Sequence, residues 1–121
     1  MGSEMCIRDS VISFHAYGDI NETRKKIEDL EKYNRPLLCT EYLARSEENT
    51  FQNILPLFKE KNVAAINWGV VSGKTNTAFP WSSWDEEFDS LPKVWHHDIY
   101  LPDKTPFDQE EITFFKKMLI D

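Results

Sequence analysis

Leu37-Leu38-Cys39-Thr40-Glu41 is the stretch on which the fold turns. It is apolar without alternation, follows Pro36, and ends on a carboxylate. A strand covered on both faces within a parallel sheet reads this way. Upstream, Val11-Ile12-Ser13-Phe14-His15 is a short β-prone run closed by Gly18-Asp19. Downstream, Val63-Ala64-Ala65-Ile66-Asn67-Trp68 reads as a third strand of the buried type. Strand starts near Val11, Pro36 and Val63 are spaced by roughly the 30 residues of a βα unit.

The intervening segments read as helices. Asn21 is placed to cap the first, whose apolar positions are Ile27, Leu30 and Tyr33, and Asn34-Arg35-Pro36 ends it. Phe51, Ile54, Leu55 and Phe58 mark the second, in which Pro56 is expected to cause a kink or move the start. Strand–helix–strand–helix–strand implies parallel strands joined by right-handed crossovers, an α/β arrangement. A long segment from Val71 to about Thr105, rich in Trp, Pro, Ser and Asp, reads as an ordered functional loop. Asp108 then caps a last helix, with Glu111 completing a capping box and Ile112, Phe115, Met118 and Leu119 forming the apolar seam.

Composition narrows the functional classes. The chain has 121 residues, 14 Lys plus Arg against 21 Asp plus Glu, and a net charge of −7. That balance argues against nucleic acid or an anionic membrane as partner, because both need clustered cations. No apolar run is long enough to span a bilayer. The 2 Cys give no disulfide framework. The 4 Trp, 4 Tyr and 8 Phe make an unusually aromatic chain.

Chemistry-bearing residues gather at the C-terminal ends of the expected strands, where α/β folds build their sites. His15 and Tyr17 follow the first strand, Glu41 and Tyr42 the second, Asn67 and Trp68 the third. Glu41 is the sharpest of them: a carboxylate at a rim, either a reacting group, a solvated end or a partner of Arg45. His15 and Tyr17, two residues apart, share one side of the chain. Phe79-Pro80-Trp81-Ser82-Ser83-Trp84-Asp85 presents flat aromatic faces among hydroxyls and a carboxylate, a composition suited to sugar rings. Against metal binding, neighbours in His96-His97-Asp98 point to opposite sides of an extended chain and lack further ligands at metal spacing. Gly73-Lys74-Thr75 lacks the first glycine of a phosphate loop, so no nucleotide is expected. Cys39, inside an apolar strand, reads as a packing residue.

Ser13-Phe14-His15-Ala16-Tyr17-Gly18, Leu38-Cys39-Thr40-Glu41-Tyr42 and Ile66-Asn67-Trp68-Gly69, in this order and spacing, resemble the sixth, seventh and eighth strand ends of retaining β-glycosidases of the cellulase-like glycoside hydrolase family 5 type. The resemblance covers nearly all of Val11 to Asp121. It implies the C-terminal part of a (β/α)₈ TIM barrel, incomplete because a whole barrel takes about 250 residues. It further implies a nucleophile role for Glu41, an orienting role for Tyr17, substrate or catalytic-pair contacts for His15, and a stacking role for Trp68. Asn67, Trp81 and Trp84 become plausible substrate contacts. The implied ligand is a β-linked oligo- or polysaccharide, without cofactor or metal, in a secreted or periplasmic protein; the oligomeric state stays open.

One departure from the family stands out. The general acid/base, an Asn-Glu pair after the fourth strand, has no counterpart here, and Glu47, Glu48, Asp85, Glu86 and Glu87 do not fit its motif. The chain alone is therefore expected to be inactive. Residues 1–10, Met-Gly-Ser-Glu-Met-Cys-Ile-Arg-Asp-Ser, resemble a transposase library adapter translated from a GTG start, which would make residues 11–121 the natural protein and Cys39 its only cysteine. The competing expectation is a non-catalytic α/β carbohydrate-binding module that uses the Trp-rich loop. A barrel piece should show unpaired sheet edges and exposed apolar helix faces, whereas a module should cap them.

Overall fold

The computed structural model describes residues 10–120, so the adapter-like segment lies, apart from Ser10, outside the described residues. The three strands are β1 (Ile12–His15), β2 (Leu37–Glu41) and β3 (Ala64–Ala65), parallel in the order β1-β2-β3. The helices are α1 (Ile20–Glu31), α2 (Phe51–Glu60) and α3 (Gln109–Ile120). The expected α/β alternation is therefore present. Ile12 pairs with Leu37 and Phe14 with Cys39, but a register shift then sets His15 against Glu41. Such an irregularity re-aims a side chain at a strand end, here bringing His15 beside the carboxylate.

One face of the sheet is covered. Ile12, Leu37 and Cys39 pack in a single core with Ile27 and Leu30 of α1, Phe51, Ile54 and Phe58 of α2, and Ile112 of α3. Tyr42 anchors its centre, with its ring edge-on to Phe51 and Phe58 at 6.0 and 5.4 Å between centroids. The opposite face is not covered by described residues: Ser13 is exposed and Leu38 only half-buried. The apolar run of β2 is thus buried on one face and not on both. Only alternate residues of a strand reach the helix layer.

The third strand differs more. Only Ala64 and Ala65 are strand, and both are exposed, as is Ile66. The chain nevertheless follows β2 further, since Ile66 N–H bonds to the Cys39 carbonyl and Trp68 N–H to that of Tyr42, both at 2.8 Å. Its outer edge has no strand partner among the described residues, and of the strand expected to be buried only Val63 joins the core.

Capping corrects two further expectations. Asp19, not Asn21, caps α1, its Oδ1 accepting from Glu22 N–H at 3.0 Å. Thr50 caps α2 through Asn53 N–H, and α2 continues through Pro56. Pro56 removes a bond to the carbonyl of Gln52, on the solvent side of the first turn, where water can replace it. Asp108 supports the start of α3 through Glu110 N–H at 2.9 Å, but Glu111 turns inward and closes no capping box. Leu119 of the expected seam is 70 % exposed. The segment after β3 is an ordered loop as expected: Val70 accepts from Ile99 and Tyr100, Ala78 from His96, and Trp95 to Ile99 lie buried. No helix among the described residues is long and apolar enough to cross a membrane.

Candidate functional site

Glu41 ends β2 with its side chain partly open to solvent. Its Oε2 receives two groups from the end of β1. The Tyr17 hydroxyl donates to it at 2.5 Å, and His15 Nδ1 stands 3.3 Å away. Burial, reinforced by the hydrogen bond to Glu41, holds the Tyr17 hydroxyl well above the usual phenol range, so it remains a donor. Both contacts fall on the same oxygen. Among the described residues no hydrogen bond goes to Oε1. The sequence alternative that paired Glu41 with Arg45 does not hold, because Arg45 binds Glu111.

The chain leaves β2 through a strained turn. Leu43 is buried with φ at +83°, a left-handed backbone that a leucine rarely adopts. Two bonds hold it there. Its N–H donates to Asn49 Oδ1 at 2.8 Å, and its carbonyl meets His97 Nδ1 at 2.6 Å. The Asn49 amide nitrogen in turn donates to the carbonyls of Ala16 and Gly18 at 2.9 and 2.6 Å, tying the β1 exit to the β2 exit. The Tyr17–Glu41 pair is thereby fixed from both sides.

Arg45 organises the other wall. Its Nε and Nη2 donate to the two carboxylate oxygens of Glu111, each at 2.7 Å, and its Nη1 donates to the carbonyls of Trp95, His97 and Asp98. The guanidinium lies over the Phe107 ring, 4.8 Å from its centroid. These bonds bring residues 95–98 against the site. The His97 ring lies 5.6 Å from that of Tyr17, and Trp81 meets Tyr17 edge-on at 5.5 Å.

The remaining expected residues scatter. Trp81 joins the Tyr17 wall, whereas Trp84 is 84 % exposed at the far end of the same turn. Trp68 is 45 % exposed beside the β2 exit. Asn67 donates to the Gly69 carbonyl at 2.7 Å. Gly69, at φ +85°, passes so close to Asp98 that an added Cβ would lie 2.7 Å from Asp98 Oδ1; a glycine is required there. Cys39 is wholly buried, and burial pushes its thiol up to about 12, in keeping with a packing role.

His97, Arg45 and Asn49 shape this site, yet sequence reasoning assigned none of them to it. The signal for His97 was the His96-His97-Asp98 triplet, weighed only as a metal cluster. Asn49 offered no signal beyond its place in a polar connection. Against protein-family models, curated proteins and solved structures, the chain finds no match.

Proposed function

We propose that the chain is the C-terminal part of a (β/α)₈ barrel from a retaining β-glycosidase, with Glu41 as nucleophile. The observation that carries this reading is the convergence of Tyr17 and His15 on a single oxygen of Glu41 at the C-terminal end of two adjacent parallel strands. A nucleophile needs one oxygen held and one free. Glu41 Oε1 attacks the anomeric carbon as the bond to the leaving oxygen breaks, giving a glycosyl ester. Tyr17 orients the carboxylate through Oε2, and His15 contacts substrate or the catalytic pair. Trp68 stacks under the sugar, with Asn67, Trp81 and Trp84 as further contacts.

The acid/base belongs to a fourth strand that this chain does not supply. Retaining enzymes hold it roughly 5–5.5 Å from the nucleophile. The buried acids are engaged elsewhere, Asp98 with Thr77 and Glu111 with Arg45. The outer edge of β3, which has no strand partner among the described residues, and the exposed Ile66, Val70, Leu119 and Ile120 favour a barrel piece over a capped binding module.

The test exploits the missing acid. A dinitrophenyl leaving group needs no protonation, and a 2-fluoro substituent slows hydrolysis of the ester. Dinitrophenyl 2-deoxy-2-fluoro-β-glucoside and its β-xyloside counterpart are expected to label Glu41 once per chain by mass spectrometry. Glu41→Gln should abolish the label, and ordinary aryl β-glycosides should show no turnover. A label that survives Glu41→Gln would sink the nucleophile assignment. Saccharide binding that survives Glu41→Gln but is lost in Trp84→Ala, with no label formed, would establish the binding module instead. Steady turnover by the chain alone would overturn the missing acid/base.

A further inference from the structure

His97 shapes the site but has no part in the proposed displacement, and its ring faces Tyr17 at 5.6 Å and Trp81 at 6.1 Å between centroids. Its tautomer follows from its partner. A carbonyl only accepts, so the 2.6 Å contact with Leu43 puts the hydrogen on Nδ1. Burial lowers the His97 pKa and keeps the ring uncharged, which leaves a lone pair on Nε2. Among the described residues, the only fully enclosed ring nitrogens without a partner are those of His96. His97 Nε2 has no hydrogen-bond partner among the described residues and is not among the fully enclosed atoms, although the residue as a whole is only 4 % exposed. The backbone is built around this orientation: Leu43 is held at φ +83°, and Arg45 Nη1 grips the His97 carbonyl at 3.0 Å. A strained residue that aims one carbonyl at one ring nitrogen points to a required ring position.

We propose that His97 is a ligand-binding residue of the Glu41 cleft, its Nε2 accepting a hydrogen from a hydroxyl of a neutral saccharide ring lodged beside Tyr17 and Trp81. This rests on the glycosidase reading and adds a specificity to it. A lone pair beside the Tyr17 ring, whose hydroxyl holds the Glu41 carboxylate, suits a hydroxyl donor and disfavours an anionic sugar.

The test uses the full chain and neutral β-linked trisaccharides of glucose and of xylose. Long-range proton–nitrogen NMR at neutral pH should show the Nδ1–H tautomer, and adding a trisaccharide should shift the Nε2 resonance together with those of Tyr17. His97→Asn keeps a donor for the Leu43 carbonyl but removes Nε2, and should weaken binding about tenfold, the loss of one neutral hydrogen bond. An Nε2–H tautomer, an unmoved Nε2 beside shifted Tyr17 resonances, or unchanged affinity in His97→Asn would overturn the role of His97 and leave the glycosidase reading standing. If neither trisaccharide moves Tyr17 or His97, the role of His97 falls, and labelling of Glu41 decides the glycosidase reading separately.

Discussion

Glu111→Leu is expected to cost about 3–5 kcal/mol of folding stability, the range for leaving one member of a buried ion pair without its partner. The pair is almost fully enclosed, with side-chain exposures of 4 % for Arg45 and 5 % for Glu111. Removing the carboxylate strands a guanidinium that cannot shed its charge. Arg45→Met strands Glu111 and in addition takes the donor from the carbonyls of Trp95, His97 and Asp98. The double variant Arg45→Met/Glu111→Leu should be more stable than the two single losses predict when added, because it leaves no buried unpaired charge. It should still fall short of the parent chain, because those carbonyls lose their donor. Urea titrations of the four proteins supply the comparison, with Glu111→Gln as a milder variant should Glu111→Leu fail to fold. Simple additivity would show that the two side chains do not depend on each other.

How far the site was legible follows from sequence distance. His15, Tyr17 and Glu41 could be placed because strand periodicity and strand-end position are local, and a spacing of two residues is enough to put His15 and Tyr17 on one oxygen. Arg45 and Glu111 lie 66 positions apart, and no periodicity connects them. A capping-box pattern accounted for Glu111 before its burial could be suspected. The same mechanism misplaced the α1 cap, since both Asp19 and Asn21 have the right chemistry and only the backbone angles choose between them. Burial was misjudged at β2 and β3, where an apolar run records that a face is to be covered without recording by what. The expected strand from Val63 to Trp68 contracts to two residues because a sheet edge without a neighbour among the described residues has few bonds to define it.

His96 offers the second large effect, a stability that falls with acid in a defined window. It is fully buried with both ring nitrogens unpartnered, enclosed by Trp81 at 4.6 Å and His97 at 4.3 Å between centroids. Burial first, then the neighbouring His97 and Arg45, lower its pKa from 6.5 to about 4. The unfolded chain takes up this proton below about pH 6.5, whereas the folded chain refuses it until about pH 4. Within that window the unfolded state binds more protons, so stability rises with pH, is complete above the window and drains away as pH falls through it. The whole window corresponds to roughly 3 kcal/mol, of which about 2 kcal/mol should be lost between pH 7 and pH 5. His97, lowered in the same direction, adds to the slope. Most carboxylates titrate below this range, so the loss above pH 5 belongs mainly to histidine. His96→Met keeps the volume and removes a polar ring that makes no bond, so its stability at pH 7 should lie within about 1 kcal/mol of the parent. Its pH slope should shrink to the remainder set by His97. An unchanged slope in His96→Met, measured by urea unfolding across the window, would mean that another group takes up the proton and that the His96 ring finds a partner in solution.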